Sequence, residues 1–179
     1  MWEIRLHGRG GQGAVTSAEL LARAAISREK FAQAFPSFGP ERRGAPVQAF
    51  VRVDTKKIRK REKIYQPDMV LVLDPSLLDV VNVAEGLKEG GVVVVNSSQD
   101  SAELKNKHDW PRAYSVDATK IAMEVLSVPI TNTTMLGALL KASGILDPQD
   151  MEEVIMDRFG PKLGPKNFEA LKKAFEMAN

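Results

Sequence analysis

Hydrophobic and polar residues alternate over residues 2–7, which predicts a short β-strand at the start of the chain. A glycine-rich stretch, 8–13, follows this strand. Residues 14–26 have the composition of a helix, and the alanines between their larger apolar residues leave a narrow face that can lie close to a sheet. The order strand, glycine turn, helix is that of the opening unit of an α/β domain.

Continuous apolar runs at residues 68–73 and 92–95 predict buried parallel strands, because strands covered on both faces lose the alternating pattern. Asp74-Pro75, directly after the first run, predicts a helix over 76–88. Further strands are predicted at 47–53 and 112–116.

The second half of the chain is predicted to be mostly helical, from residues that start or stop helices. The expected signals are Asp117 as the cap of one helix, Thr131–Thr134 as the cap of a helix over 135–143, Gly144 as its end, Asp147-Pro148 as the next start, and breaks at Gly160-Pro161 and Gly164-Pro165 before a last helix at 166–177.

Residues 31–46 contain three prolines, two glycines and three phenylalanines, which predicts a long ordered loop. Together these elements predict one α/β domain over residues 1–179. We expect three layers, with a mostly parallel central sheet flanked by helices, a Rossmann-like opening unit and a helical C-terminus.

Composition narrows the possible functions. The chain has no cysteine, which excludes disulfides, thiol catalysis, thiolate zinc sites and cysteine-ligated iron–sulfur clusters within it. Two histidines argue against a histidine-built metal site, and a net charge of +2 does not favour nucleic acid as a partner. The chain shows neither a membrane-length apolar run nor a secretory signal, so we expect a cytoplasmic protein that does not bind membranes.

The candidate chemistry starts at the glycine turn, which matches GxGxxG. Glycines allow a tight turn, and the helix N-terminus behind it presents N–H groups to an anion such as a phosphate. No acidic residue ends a second strand about 20 residues later, as dinucleotide binding requires. Three interpretations stay open: the turn binds the phosphate of some other ligand, it binds NAD(P) or FAD, or it is purely structural and packs the helix against the sheet. The candidate residues are Gly8, Arg9, Gly10, Gly11, Gln12 and Gly13.

Two further segments carry candidate anion ligands. Glu41, Arg42 and Arg43 lie in a Gly/Pro frame suited to a phosphate, a carboxylate or a partner chain, although an internal ion pair explains them as well. Asn132 and Thr133 precede a predicted helix and either face an anion or cap the helix. The basic run 56–63 is expected to be a solvated face or hairpin, with contact to an acidic partner as the alternative.

Three segments in this order, His7–Gly13, Phe38–Pro46 and Pro129–Gly137, resemble the gamma subunit of 2-oxoacid:ferredoxin oxidoreductases, most closely the pyruvate/2-ketoisovalerate type. The resemblance covers essentially the whole chain. It implies a complex that converts a 2-oxoacid, coenzyme A and oxidised ferredoxin into acyl-CoA, carbon dioxide and reduced ferredoxin.

The resemblance also implies where the cofactors lie. Thiamine diphosphate, Mg and [4Fe-4S] clusters are expected on alpha, beta and delta subunits, with ferredoxin as the electron acceptor and coenzyme A as co-substrate. The gamma chain would hold no cofactor and no catalytic residue of its own. Its glycine turn and the loop that carries Glu41, Arg42 and Arg43 (the arginine loop) would lie near the CoA phosphates or at a subunit interface.

Overall fold

The computed structural model describes residues 1–37 and 43–179. Within them the chain forms six strands: β1 (Trp2–Arg9), β2 (Phe31–Pro36), β3 (Pro46–Asp54), β4 (Met69–Val72), β5 (Val92–Asn96) and β6 (Arg112–Val116). The same residues form five α-helices: α1 (Ala14–Ser27), α2 (Ser101–His108), α3 (Ala118–Leu126), α4 (Asn132–Ser143) and α5 (Glu152–Met177). Short 3-10 turns lie at Pro75–Asp79 and Pro148–Met151.

All six strands form one sheet in the order β2-β3-β1-β4-β5-β6. β1, β4, β5 and β6 are parallel, whereas β3 runs antiparallel between β1 and β2. β1, α1 and β2 form the opening unit, with β3 inserted between its two strands. This confirms the predicted α/β class with a mostly parallel sheet.

Helices cover the two faces of the sheet unequally. α1, α3, α4 and α5 contribute to a large apolar core on one face, which includes Ile4 and Leu6 of β1. On the other face, α2 and the 3-10 turn at Pro75–Asp79 enclose a smaller cluster around Val70 and Val93. In the described residues, no helix combines the length and the apolarity needed to cross a bilayer.

α4 is the most deeply buried helix, since every residue from Asn132 to Leu140 is buried. It packs directly on α5, where Gly137 faces the backbone of Leu171 with no room for a Cβ atom. The glycine is therefore needed for the close approach of the two helices.

Most of the predicted elements are confirmed, with boundaries moved by a few residues. They include the strands predicted at 2–7, 47–53, 68–73, 92–95 and 112–116, the helix at 14–26, the Asp117 cap, the Gly144 stop and the Asp147-Pro148 start.

The loop prediction for 31–46 is wrong at its start, because residues 31–36 form the edge strand β2. Its pairing with β3 places the Phe35 and Phe50 rings 5.2 Å apart, which stabilises an edge strand despite its terminal proline. The helix predicted at 76–88 is also wrong beyond Asp79. Gly86 has φ +70° and packs against the Tyr65 carbonyl without room for a Cβ, so the chain turns there instead.

Two helix boundaries also differ from prediction. Asn132–Thr134 lie inside α4, and Thr131 at the N-cap makes no side-chain cap bond, so these residues do not cap the helix. α5 breaks at Gly160 and then continues through Gly164-Pro165, where the second break was predicted. Gly164 serves packing instead, since a Cβ there would lie 2.7 Å from the Met156 sulfur.

Candidate functional site

The glycine turn lies at the point where the strand order of the sheet reverses. After β1 the chain crosses through α1 to β2 on one side, whereas after β4 it continues to β5 on the other. The carboxyl ends of β1 and β4 therefore form a crevice that holds residues 8–13 and the start of the 3-10 turn. Open α/β sheets bind ligands at this position.

Gln12 closes the glycine turn and ties it to the next loop. Its side-chain Oε1 accepts a hydrogen bond from the backbone N–H of Arg9 at 2.7 Å, and its backbone N–H donates to the Arg9 carbonyl at 2.9 Å. Its Nε2 donates to Asp74 Oδ2 at 2.7 Å. Gly11 and Gly13 take φ +93° and +83°, a region that favours glycine. The turn is thus held in one shape without a ligand.

Arg9 lies across the mouth of this crevice. Its Nε is 3.3 Å from Asp74 Oδ2, its Nη2 donates to Ser76 Oγ at 2.8 Å, and its Nη1 donates to the Gly44 carbonyl at 3.1 Å. The Arg9 side chain is 29% exposed. It is therefore positioned by the protein while part of the side chain stays accessible to solvent.

Asp74 is the acceptor that organises these donors. Partial burial raises the pKa of its carboxyl group, but hydrogen bonds from Ser76 and Gln12 and the charge of Arg9 outweigh it, so the pKa is lowered. Asp74 is therefore ionised at neutral pH. Sequence reasoning treated it only as a helix start. Its position directly after a predicted parallel strand is the signal that could have placed it beside the glycine turn.

The N-terminus of α1 opens onto the same crevice. Among the described residues no side chain caps this end, and the first turn contains no acidic residue. The first N–H groups of the helix and its partial positive charge are available to an anion. A backbone cradle of this kind fits a phosphate or carboxylate and requires no catalytic side chain.

Asn132 meets the glycine turn from the side of α4, and Thr133 follows it in the helix. A Cβ built on Gly13 would lie 2.6 Å from Asn132 Nδ2, and Ser17 Oγ donates to the Asn132 carbonyl at 3.2 Å. Asn132 Oδ1 and Thr133 Oγ1 are buried and have no partner among the described residues. Thr133 is fully buried, so any effect on a ligand would pass through Asn132.

The arginine loop reaches the glycine turn through its backbone. Gly10 donates to the Ala45 carbonyl at 2.8 Å, and Gly44 donates to the Gly10 carbonyl at 3.2 Å. Arg43 is exposed next to this contact. Glu41 and Arg42 lie outside the described residues.

A second polar cleft, of about 440 Å³, continues along the same edge of the sheet. Asn96 lies at its floor, where its Nδ2 donates to the Leu73 carbonyl and to Thr119 Oγ1, each at 3.0 Å. Its Oδ1 accepts from the amide of Ala118 at the start of α3. Asn96 thus connects the ends of β4 and β5 to the start of α3.

The fold and this site define a class of protein: an α/β domain that presents a glycine turn and an uncapped helix N-terminus at the switch point of its sheet. A family model described as pyruvate ferredoxin/flavodoxin oxidoreductase matches residues 3–177, and the chain belongs to this family.

The relatives of this chain agree on one type of subunit. The chain is 56% identical over 178 residues to the pyruvate/ketoisovalerate oxidoreductases common subunit gamma of Thermococcus litoralis, covering 98% of this chain and 96% of the relative. It is 53% identical over 175 residues to pyruvate synthase subunit PorC of Methanocaldococcus jannaschii, with 98% and 96% covered. These findings confirm the resemblance drawn from the three sequence segments.

The fold matches a solved structure of the same type. The crystal structure of pyruvate oxidoreductase subunit PORC from Thermotoga maritima superposes with a TM-score of 0.87 at 38% identity, covering 99% of this chain and 97% of that chain. The architecture described above is thus the architecture of that subunit along its whole length.

Proposed function

We propose that this chain is the gamma subunit of a cytoplasmic 2-oxoacid:ferredoxin oxidoreductase, with pyruvate as the first substrate to test. The complex would convert the 2-oxoacid, coenzyme A and oxidised ferredoxin into acyl-CoA, carbon dioxide and reduced ferredoxin. The observation that carries this proposal is the high identity to gamma subunits over at least 96% of their own length.

In this proposal the chain is inactive alone. The polar side chains around the glycine turn, Arg9, Gln12, Asp74 and Ser76, are bonded to one another rather than arranged as nucleophile and base. Because the chain has no cysteine, it offers no thiolate for an iron–sulfur cluster. Thiamine diphosphate, Mg and the [4Fe-4S] clusters would belong to alpha, beta and delta subunits, and ferredoxin would accept electrons there.

The contribution of this chain would be an anion cradle on the coenzyme A side of the complex. The glycine turn, Arg9 and the exposed Arg43 would face the CoA phosphates, with Asn132 supporting the turn from behind. Support comes from the N-terminus of α1, which no described side chain caps, and from the partly exposed side chain of Arg9. Glu41 and Arg42, which lie outside the described residues, remain part of the proposal.

The test is steady-state kinetics of the assembled complex with Arg9→Ala. We expect the KM for CoA to rise roughly tenfold, because one charge-assisted contact is lost, and kcat to change little. Arg23→Ala is the matched control, because Arg23 lies on the exposed side of α1 in an ion pair with Asp157. An unchanged KM for CoA would contradict the cradle while leaving the subunit assignment intact.

One observation favours a second role for the turn. Arg9 already has Asp74, Ser76 and the Gly44 carbonyl as partners, so the alternative role of Arg9 is to hold the loop for packing against another subunit. In that case Arg9→Ala would weaken assembly of the complex, measured by co-purification, and would leave the KM for CoA of the assembled fraction unchanged.

A further inference from the structure

A cleft of about 520 Å³ lies away from the glycine turn, on the face of the sheet opposite α1. Its lining includes Arg5 of β1, Gln48 and Phe50 of β3, Lys63 and Tyr65 of the following segment, and Glu85. The proposed gamma-subunit function assigns no role to these residues.

Arg5 lies in this cleft with only 6% of its surface exposed. Its Nε donates to His7 Nε2 at 3.1 Å, and its Nη2 donates to the carbonyls of Val83 at 2.9 Å and Glu85 at 2.6 Å. Each of these acceptors is uncharged. An arginine stays ionised when buried, so a positive charge is held here without a hydrogen-bonded carboxylate in the described part of the chain.

The remaining nitrogen of Arg5 is the available donor. Nη1 has no hydrogen bond to a described residue, and it is not among the sealed unpartnered atoms, whereas Nη1 of Arg52 is. Arg52 also has a buried carboxylate at 2.9 Å, that of Glu3. Two neighbouring buried arginines therefore differ: Arg52 has an internal anion, whereas Arg5 lines a cleft and its Nη1 has no hydrogen-bond partner among the described residues.

The charge of the cleft matches a monoanion. Lys63 adds a second positive charge at the rim, where its Nζ donates to Ser37 Oγ at 3.2 Å. Burial lowers the pKa of Arg5, and the charge of Glu85 offsets only part of this lowering; Glu85 forms no ion pair with Arg5 among the described residues. Two cations and one carboxylate leave one net positive charge, which suits a carboxylate better than a phosphate dianion.

The walls of the cleft are fixed. Gly86 allows the segment before Lys88 to pack on the Tyr65 carbonyl, and the Lys88 amide donates to the Pro67 carbonyl at 3.0 Å. The backbone on this side of the cleft is thus held by internal contacts, which lowers the entropic cost of binding.

We propose that this cleft binds a carboxylate group, with Arg5 Nη1 as the donor and Lys63 as the second positive charge. The inference does not rest on the proposed function. The carboxylate belongs either to a free small acid or to an acidic side chain of another subunit, and both sources present the same chemistry to Arg5.

Acetate is the probe, titrated into the purified full-length chain at constant ionic strength, with the side-chain N–H signals of the arginines followed by NMR. We expect a saturable shift of the Arg5 signals. Lys63→Met should weaken binding roughly threefold or more by removing one of two charges. Lys57→Met is the matched control, since this exposed lysine does not line the cleft, and it should leave binding unchanged.

The absence of a saturable Arg5 shift overturns the proposal, as does equal weakening by both lysine variants or tighter binding of inorganic phosphate than of acetate. Arg5→Met should abolish binding, but Lys63→Met carries the conclusion because an exposed lysine can be replaced without disturbing the fold.

The two sources are separated in the assembled complex with a photo-crosslinking residue at Tyr65, which is 69% exposed. Crosslinking to another subunit, together with loss of acetate binding on assembly, assigns the carboxylate to that subunit. Retained acetate binding without a crosslink assigns it to a free acid.

Discussion

Acidification from pH 7 to pH 5 is expected to destabilise this protein through one buried histidine. His7 is 3% exposed, and its Nε2 accepts a hydrogen bond from Arg5 Nε. Protonation would therefore place a second positive charge next to the guanidinium in the interior of the protein. Burial, with a smaller contribution from Arg5, lowers the pKa of His7 from 6.5 to about 3.

The sign of the effect follows from linkage. Between pH 6.5 and 3 the unfolded chain binds a proton at this position and the folded chain does not, so stability falls as the pH is lowered through this range. With these two values, the free energy of unfolding decreases by about 2 kcal/mol from pH 7 to pH 5. Glu3 and Asp74 contribute little in this window, because their ordinary pKa values of 4.5 and 3.8 already lie below pH 5 and their folded-state pKa values are lower still.

Urea denaturation at pH 7, 6 and 5 measures this difference directly. His7→Gln keeps an acceptor for Arg5 and removes the titrating group, so most of the pH dependence should disappear. His108→Gln is the matched control, because it removes the only other histidine and leaves the Arg5–His7 pair intact. Equal stability of the parent chain at pH 7 and pH 5, or an unchanged slope in His7→Gln, would refute the reasoning.

Two other perturbations test the buried ion pair and the glycine turn. Glu3→Gln leaves Arg52 charged in the interior and should cost about 3 kcal/mol or more in urea denaturation; a loss below 1 kcal/mol would show that the pair is well solvated. Gly13→Ala combines left-handed strain with a contact to Asn132, and should cost about 2 kcal/mol or more. Gly11→Ala has similar φ but open space, so about 1 kcal/mol is expected, and equal losses would argue against the contact.

The sequence predicts the centre of the sheet better than its edge. β4 and β5 are covered on both faces, so their apolar runs are visible without knowledge of their neighbours. β2 has one neighbour, β3, and the prolines and glycines in and after this segment predict a loop instead. What makes residues 31–36 a strand is their pairing with residues 49–54, and no local pattern encodes that pairing.

The candidate site divides in the same way. The glycine turn is a local motif, and its position between a strand and a helix was predictable from adjacent residues. Asp74 lies 62 residues from Gln12, and their hydrogen bond depends on β1 and β4 being neighbours in the sheet. The contact of Asn132 with Gly13 depends likewise on the packing of α4 beside α1, which the sequence alone does not specify.

β1 connects the two candidate anion sites through its alternation. Its even residues, Ile4 and Leu6, enter the apolar core, and its odd residues carry ionisable groups on the opposite face. Each of these groups is accommodated differently: Glu3 has Arg52 as a partner, Arg5 has uncharged acceptors, and His7 stays neutral. Only Arg5 keeps a buried charge without a hydrogen-bonded counterion in the described residues, which is why a carboxylate is expected there. Arg9, at the end of the same strand, is paired with Asp74 and does not line the cleft of Arg5 and Lys63. We therefore expect Arg9→Ala to affect only the KM for CoA and Lys63→Met to affect only the binding of acetate.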